Sequence, residues 1–145
     1  MKRFRNLSFL LIGFCFAAFF TACSKDMETP DVPLDDPDLG SARVLVQGNL
    51  SGAGGHQVSG RVTILESNGM KTLRFENFAS SNGPDLKVYL SQDAAATRFI
   101  NLGQLKSISG NQNYAISGMP DLAAYPYALI WCEQFGVLFG SANLK

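Results

Sequence analysis

The chain has 145 residues, and its 12 basic side chains balance its 12 acidic ones, so the formal net charge is zero. Hydrophobic residues make up 46% of the sequence, which permits one domain with an apolar core and argues against a wholly disordered protein. Beyond residue 41 the 8 basic and 6 acidic side chains are dispersed, whereas DNA or RNA binding needs clustered basic charge that neutralises phosphates. The composition therefore excludes nucleic acid as a partner.

Residues 1–22 have the pattern of a secretory signal peptide. Basic residues at positions 2, 3 and 5 precede an apolar run over 7–20, which is shorter than the ~20 residues of a membrane-spanning helix. Thr21-Ala22-Cys23 follows and resembles the processing box of bacterial lipoproteins, whose cysteine becomes the acylated N-terminus. We therefore expect Cys23 to be lipidated and the mature chain to be anchored to a membrane rather than to span it. An ordinary signal peptide that leaves Cys23 as a thiol, and a single uncleaved anchor, are the alternatives.

Residues 23–41 are predicted to begin with the lipidated cysteine and to continue as a solvated tether. They contain three prolines, and five acidic residues lie between positions 28 and 38, so this segment cannot bury a core and its like charges keep it extended. Ser24 resembles the residue after the cysteine in lipoproteins sent to the outer membrane, and residues 25–28 loosely resemble an export signal of Bacteroidetes lipoproteins. The expected location is the cell envelope, with the lipid in the outer membrane and the domain on its periplasmic face or on the cell surface.

Residues 42–145 are predicted to form one all-β domain, because short alternating or apolar runs lie between turn residues and no apolar stripe has helical spacing. Asn68-Gly69 predicts a tight hairpin. Further turns are predicted at 80–84 and 109–111, and one helical turn at 121–125 before a proline. The eight predicted strands are 42–48, 57–66, 71–77, 85–91, 99–101, 112–117, 128–132 and 137–142. This spacing fits an antiparallel β-sandwich or a β-barrel, which periodicity does not separate.

Aromatic residues occupy many of these predicted strand positions. Buried aromatic rings supply much of the apolar area of a core. We therefore predict that the following residues belong to the core rather than to a ligand-stacking platform: Phe75, Phe78, Tyr89, Phe99, Tyr114, Trp131, Phe135 and Phe139.

Few residues of the domain belong to types that carry out chemistry. His56 is the only histidine, and no Cys/His cluster has zinc spacing, so hydrolase and zinc-enzyme functions are disfavoured. Once Cys15 leaves with the signal and Cys23 is lipidated, Cys132 is the remaining thiol and no intramolecular disulfide is expected. Cys132 is either a small buried hydrophobe or a functional thiol that ligates a metal or haem, cycles through sulfenic acid or pairs with another chain. His56 is either an ordinary loop histidine or a ligand that acts with Cys132.

Several segments between residues 46 and 144, taken in their order, resemble a known family. Gly83-Pro84-Asp85-Leu86 and Trp131-Cys132 are the most specific of them. The full set of segments lies at 48–50, 56–60, 73–78, 83–91, 102–106, 110–114, 130–132 and 135–142. Together they resemble the DM13 domain.

This resemblance implies an extracytoplasmic antiparallel β-sandwich of immunoglobulin or DOMON-like type, named an electron-transfer domain, with a redox-active cysteine near its C-terminal end. Cys132 holds that position, and Trp131 is expected to shield it or to conduct electrons. His56 is a further candidate ligand. The main role expected of Asp85 is to order a turn by accepting hydrogen bonds from backbone N–H groups. Its second expected role is to support the site. DOMON and cytochrome modules are not recognisable in these 145 residues, so a separate redox protein is the expected partner.

Two functions therefore stand as hypotheses. The first is a membrane-tethered redox or electron-transfer domain centred on Cys132, with a metal or haem cofactor left unspecified. The second is a non-catalytic binding or adhesion module of the cell envelope, in which the thiol is core and the loops carry recognition. A thiol sealed in apolar packing favours the second hypothesis, whereas an accessible thiol near His56 or a basic side chain favours the first. Dimerisation through Cys132 is a third alternative.

Overall fold

A computed structural model describes residues 42–145. The predicted signal at 1–22, the lipidation site Cys23 and the tether that follows it lie outside the described residues. Residues 42–145 form β-strands and one short 3-10 helix, Leu122–Ala124, so the all-β prediction is confirmed. In this part of the chain no helix is long and apolar enough to cross a membrane.

Residues 42–145 contain nine strands in two antiparallel sheets. In chain order the strands are β1 Arg43–Asn49, β2 Ser51–Gly52, β3 Val58–Ser67, β4 Met70–Ser80, β5 Leu86–Ser91, β6 Phe99–Gln104, β7 Ser109–Ile116, β8 Tyr127–Cys132 and β9 Val137–Asn143. Sheet A has the strand order β1-β3-β4-β7, and sheet B has the order β2-β9-β8-β5-β6. The two sheets remain separate, so the domain is a sandwich and not the alternative barrel.

Local turn chemistry explains where several strands begin and end. Asn68 and Gly69 have φ angles of 50° and 75°, and two positive angles make the hairpin turn that matches the twist of β3 and β4. The predicted turn at 109–111 is wrong because these residues begin β7, where Gly110 pairs with Phe78 beside an irregularity in the register. The helical turn at 121–125 is confirmed, and the Asp121 carboxylate accepts the N–H of Ala123 at its start. The two-residue β2 is too short to have a sequence pattern.

The core lies between the two sheets, because alternate residues of each strand point to opposite faces. Val62, Ile64, Leu73 and Phe75 of sheet A are fully buried, and they belong to the same core cluster as Val88, Leu90, Ala128 and Ile130 of sheet B. The Phe75 ring lies 4.9 Å from that of Phe78 and 5.6 Å from that of Tyr114. Each large apolar side chain buried in this way contributes roughly 1.5–3 kcal/mol.

The aromatic residues divide between the core and the outer surface. Phe75, Phe78, Tyr114 and Phe139 belong to the core, as predicted. The prediction is wrong for Phe99 and Phe135, which are 43% and 65% exposed. Trp131 is half-buried, and Tyr89 is buried outside the core cluster, on the outer face of sheet B. Phe135 lies in the turn between β8 and β9, and for the rings within strands the strand position alone does not determine which face they occupy.

Candidate functional site

Cys132 is the last residue of β8, and its side chain belongs to the core. The strand pairing places Leu86 of β5 on one side of it and Val137 of β9 on the other. Its exposed fraction is 0%. In residues 42–145 its Sγ atom takes part in no hydrogen bond and no disulfide. The thiol is therefore sealed in apolar packing in the folded domain.

His56 lies in the loop between β2 and β3 and is half-buried. Its ring stacks on Phe139 of β9, with the ring centroids 3.6 Å apart and the planes 8° from parallel. No hydrogen bond or ring contact joins His56 to Cys132 in the described part of the chain. Sequence reasoning considered an ordinary loop position or a ligand position for this histidine, and the structure places it flat against an aromatic ring of the core.

A metal or haem held by Cys132 and His56 does not fit the residues present. Across residues 42–145 no three His, Cys, Asp or Glu side chains lie close enough together to hold a metal ion. The thiol faces packed apolar side chains, and the imidazole lies against Phe139. A shallow polar cavity on sheet A, lined by residues 49, 60, 61, 76 and 77, includes neither of them.

Trp131 precedes Cys132 in β8, so its side chain lies on the opposite face of the strand. The thiol points into the core, and the indole lies on the outer face of sheet B, where it is half-buried. Trp131 therefore does not cover the thiol. Any electron that passes between the two residues has to cross the sheet.

The outer face of sheet B gathers charged and aromatic side chains, which we call the outer cluster: Asp85, Lys87, Tyr89, Phe99, Trp131 and Glu133. Its charged part centres on Lys87, which lies opposite Trp131 in the antiparallel register of β5 and β8. The Lys87 Nζ atom lies 2.8 Å from Asp85 Oδ1 and 3.6 Å from Glu133 Oε2. The hydrogen bond to Asp85 is the largest cause that raises the pKa of Lys87. The Asp85 carboxylate thus binds an ammonium group instead of the expected backbone N–H groups.

The aromatic part of the outer cluster centres on Tyr89, which is only 1% exposed. Its ring stacks on Phe99 with the centroids 4.0 Å apart, and it lies 6.5 Å from the ring of Trp131. The Tyr89 hydroxyl donates a hydrogen bond of 3.1 Å to Glu133 Oε1. Burial, and after it the bond to Glu133, raises the pKa of Tyr89 to about 12. The phenol is therefore a protonated donor at neutral pH.

The structure thus brings two of the sequence candidates, Asp85 and Trp131, into one cluster, and leaves Cys132 and His56 outside it. Sequence reasoning missed the roles of Lys87, Tyr89 and Glu133. Alternation along β5 places Lys87 and Tyr89 on one face, opposite the core residues of that strand. The order of residues in β5 therefore shows that Lys87 and Tyr89 share a face. Only the pairing of β5 with β8 shows which side chains lie beside them on that face.

The model of the family described as electron transfer DM13 matches residues 50–144. This range includes strands β2 to β9, and with them Cys132 and the whole outer cluster. No curated protein and no solved structure matches the chain significantly. Because the matched range is well over half of the 145 residues, the chain belongs to the electron transfer DM13 family.

Proposed function

We propose that this protein is a lipid-anchored electron-transfer domain of the cell envelope, in which Cys132 is the redox group and a separate redox protein is the partner. The family match over residues 50–144 is the observation that carries the proposal. Cys132 is the one cysteine within that range. The anchor rests on the pattern Thr21-Ala22-Cys23, and the outer-membrane location on the residues that follow it.

The burial of Cys132 decides how such a reaction can proceed. One-electron oxidation of a thiol transfers one electron to the oxidised partner and releases one proton. Sγ has no exposed surface and no hydrogen-bond acceptor in residues 42–145, so the proton has no local destination in the closed fold. Glu133 and the three residues after it form an exposed turn, and Cys132 is the strand residue next to that turn. Opening of this strand end exposes the thiol at a smaller cost than global unfolding.

The first test is electron exchange by the protein purified from membranes in detergent, measured by voltammetry. We expect a signal in the wild type that is lost in Cys132→Ala. Ile130→Val is the matched control, because Ile130 is another fully buried, core-facing residue of β8 and the change also removes a small volume. This control should keep the signal. An unchanged signal in Cys132→Ala would eliminate Cys132 as the redox group.

Thiol titration of the same protein tests the opening step. A thiol reagent should modify native Cys132 at least about 100-fold more slowly than the unfolded chain, because reaction requires the strand end to open. Destabilising the turn should accelerate the native reaction without unfolding the domain. Equal rates in the native and unfolded proteins would contradict the sealed position of the thiol.

The full burial of Cys132 also favours a second candidate function, a non-catalytic binding or adhesion module. In that function the thiol is a small core residue and surface loops bind the ligand. The same two experiments separate the candidates. A wild-type protein that shows no electron exchange, and whose thiol reacts only after global unfolding, supports the binding module and overturns the redox proposal.

A further inference from the structure

Tyr89 occupies an unusual position for a residue outside the core. It lies on the outer face of sheet B, yet it is only 1% exposed. Phe99 stacks on it at 4.0 Å, and Trp131 lies 6.5 Å away with its ring plane inclined by 25°. Phe99 and Trp131 both reach solvent, since Phe99 is 43% exposed and Trp131 is half-buried. A buried phenol therefore lies in contact with rings that are accessible from outside.

The hydrogen bond of Tyr89 distinguishes it from the other buried tyrosine. Tyr89 donates to a carboxylate oxygen, Glu133 Oε1, at 3.1 Å. Tyr114 donates instead to the neutral amide oxygen of Gln112 at 2.6 Å. A carboxylate can accept a proton from its partner, whereas an amide oxygen only accepts a hydrogen bond. The Lys87 Nζ atom lies 3.6 Å from Glu133 Oε2, so the other carboxylate oxygen, Oε1, remains available to the phenol.

We propose that Tyr89 is a second redox-active residue of this domain and that Glu133 is its proton acceptor. In the oxidation step the Tyr89 phenol gives one electron to an oxidised metal centre of the redox partner, and its O–H proton moves to Glu133 Oε1. The products are a neutral tyrosyl radical and a protonated carboxyl group. In the return step an electron reaches the ring and the same proton goes back to the phenol oxygen.

Two features of the outer cluster make this step feasible. A phenol that loses an electron becomes strongly acidic, so an acceptor already at hydrogen-bond distance removes the need for a water molecule to carry the proton away. The rings of Trp131 and Phe99 bring conjugated groups from the surface to the buried ring, and a partner therefore needs no contact with Tyr89 itself. In the described residues Cys132 has no such proton acceptor. The inference rests on the proposed electron-transfer function and deepens it.

The test uses the full chain in detergent, oxidised with flash-generated tris(bipyridine)ruthenium(III) and frozen for electron paramagnetic resonance. We expect a tyrosyl radical in the wild type that is largely lost in Tyr89→Phe, a change that keeps the stacked ring. Tyr114→Phe is the matched control and should retain the signal. Glu133→Gln keeps a hydrogen-bond acceptor but no base, so oxidation of Tyr89 should become on the order of 100-fold slower.

The outcomes separate this inference from the proposed function. A radical of equal intensity in the wild type and Tyr89→Phe, or an unchanged oxidation rate in Glu133→Gln, overturns the inference. If voltammetry at the same time shows exchange that Cys132→Ala abolishes, the proposed role of Cys132 stands without Tyr89. A Tyr89 radical that persists in Cys132→Ala, together with an unchanged voltammetric signal, supports the inference and removes Cys132 from the proposed function. Circular dichroism of every variant checks that the fold is intact.

Discussion

Alkaline pH should destabilise this domain through two buried phenols. Tyr89 and Tyr114 each have a pKa raised from 10.0 to about 12, in both cases chiefly by burial. For Tyr89 the hydrogen bond to Glu133 adds to the rise, whereas for Tyr114 the backbone N–H of Lys106 opposes it. As the pH rises above 10, the unfolded chain loses these protons before the folded one does. The stabilisation is therefore complete below pH 10 and is lost as the pH approaches about 12.

The size of the effect follows from these two pKa values. At about pH 11 the unfolded phenol is mostly ionised and the folded one mostly neutral, which lowers the free energy of unfolding by on the order of 1 kcal/mol for each tyrosine. Both together remove roughly 2–3 kcal/mol, a substantial part of the ~5–15 kcal/mol that holds a typical domain folded. The raised pKa of Lys87 acts in the same direction, since its ammonium binds Asp85 only in the folded state.

Urea denaturation, followed by circular dichroism at about pH 8 and about pH 11, measures this loss. Tyr89→Phe and Tyr114→Phe should each remove about half of the tyrosine contribution, and the double variant should retain only the part that arises from Lys87 and other groups. The ultraviolet absorbance of phenolate in the same samples reports which state of the chain ionises. If the double variant loses as much stability between the two pH values as the wild type, the two buried phenols do not cause the loss.

Further substitutions test the packing. Cys132→Ser places a hydroxyl without a partner in the core, so urea denaturation should show a free energy of unfolding that is lower by about 1–3 kcal/mol. An unchanged value would mean that the site is not sealed. In Gly140→Ala the new Cβ would lie 2.6 Å from Val58 Cβ, so we expect a loss of ~1–3 kcal/mol, and an unchanged Tm would contradict the tight contact between β9 and β3. Phe75→Ala should cost about 3–5 kcal/mol, whereas Phe135→Ala on the surface should change stability by less than about 0.5 kcal/mol. Similar losses for the two phenylalanines would show that the core is assigned wrongly.

Part of the fold was predictable because it depends on local chemistry. The Asn68-Gly69 turn needs two positive φ angles, which these residues adopt readily, and Leu73 and Phe75 alternate with polar neighbours. It was harder to assign which face of β5 is buried, because residues 86–90 are apolar at four of five positions and polar and apolar residues do not alternate visibly. Tyr89, predicted to be core as an aromatic residue at a strand position, is indeed buried, but it lies on the outer face of sheet B and outside the core cluster.

The amino-acid sequence by itself determined the all-β class, the likeness to the DM13 family and the presence of one thiol in the domain, because residue types, turn signals and ordered motifs are local properties. Tertiary structure alone decided that Cys132 is sealed in the core while Trp131, its neighbour in the chain, lies across the sheet. It also decided that Tyr89 and Glu133 meet. The physical reason is that strand alternation determines only which residues share a face, whereas the pairing of distant strands determines which face is buried and which side chains come into contact.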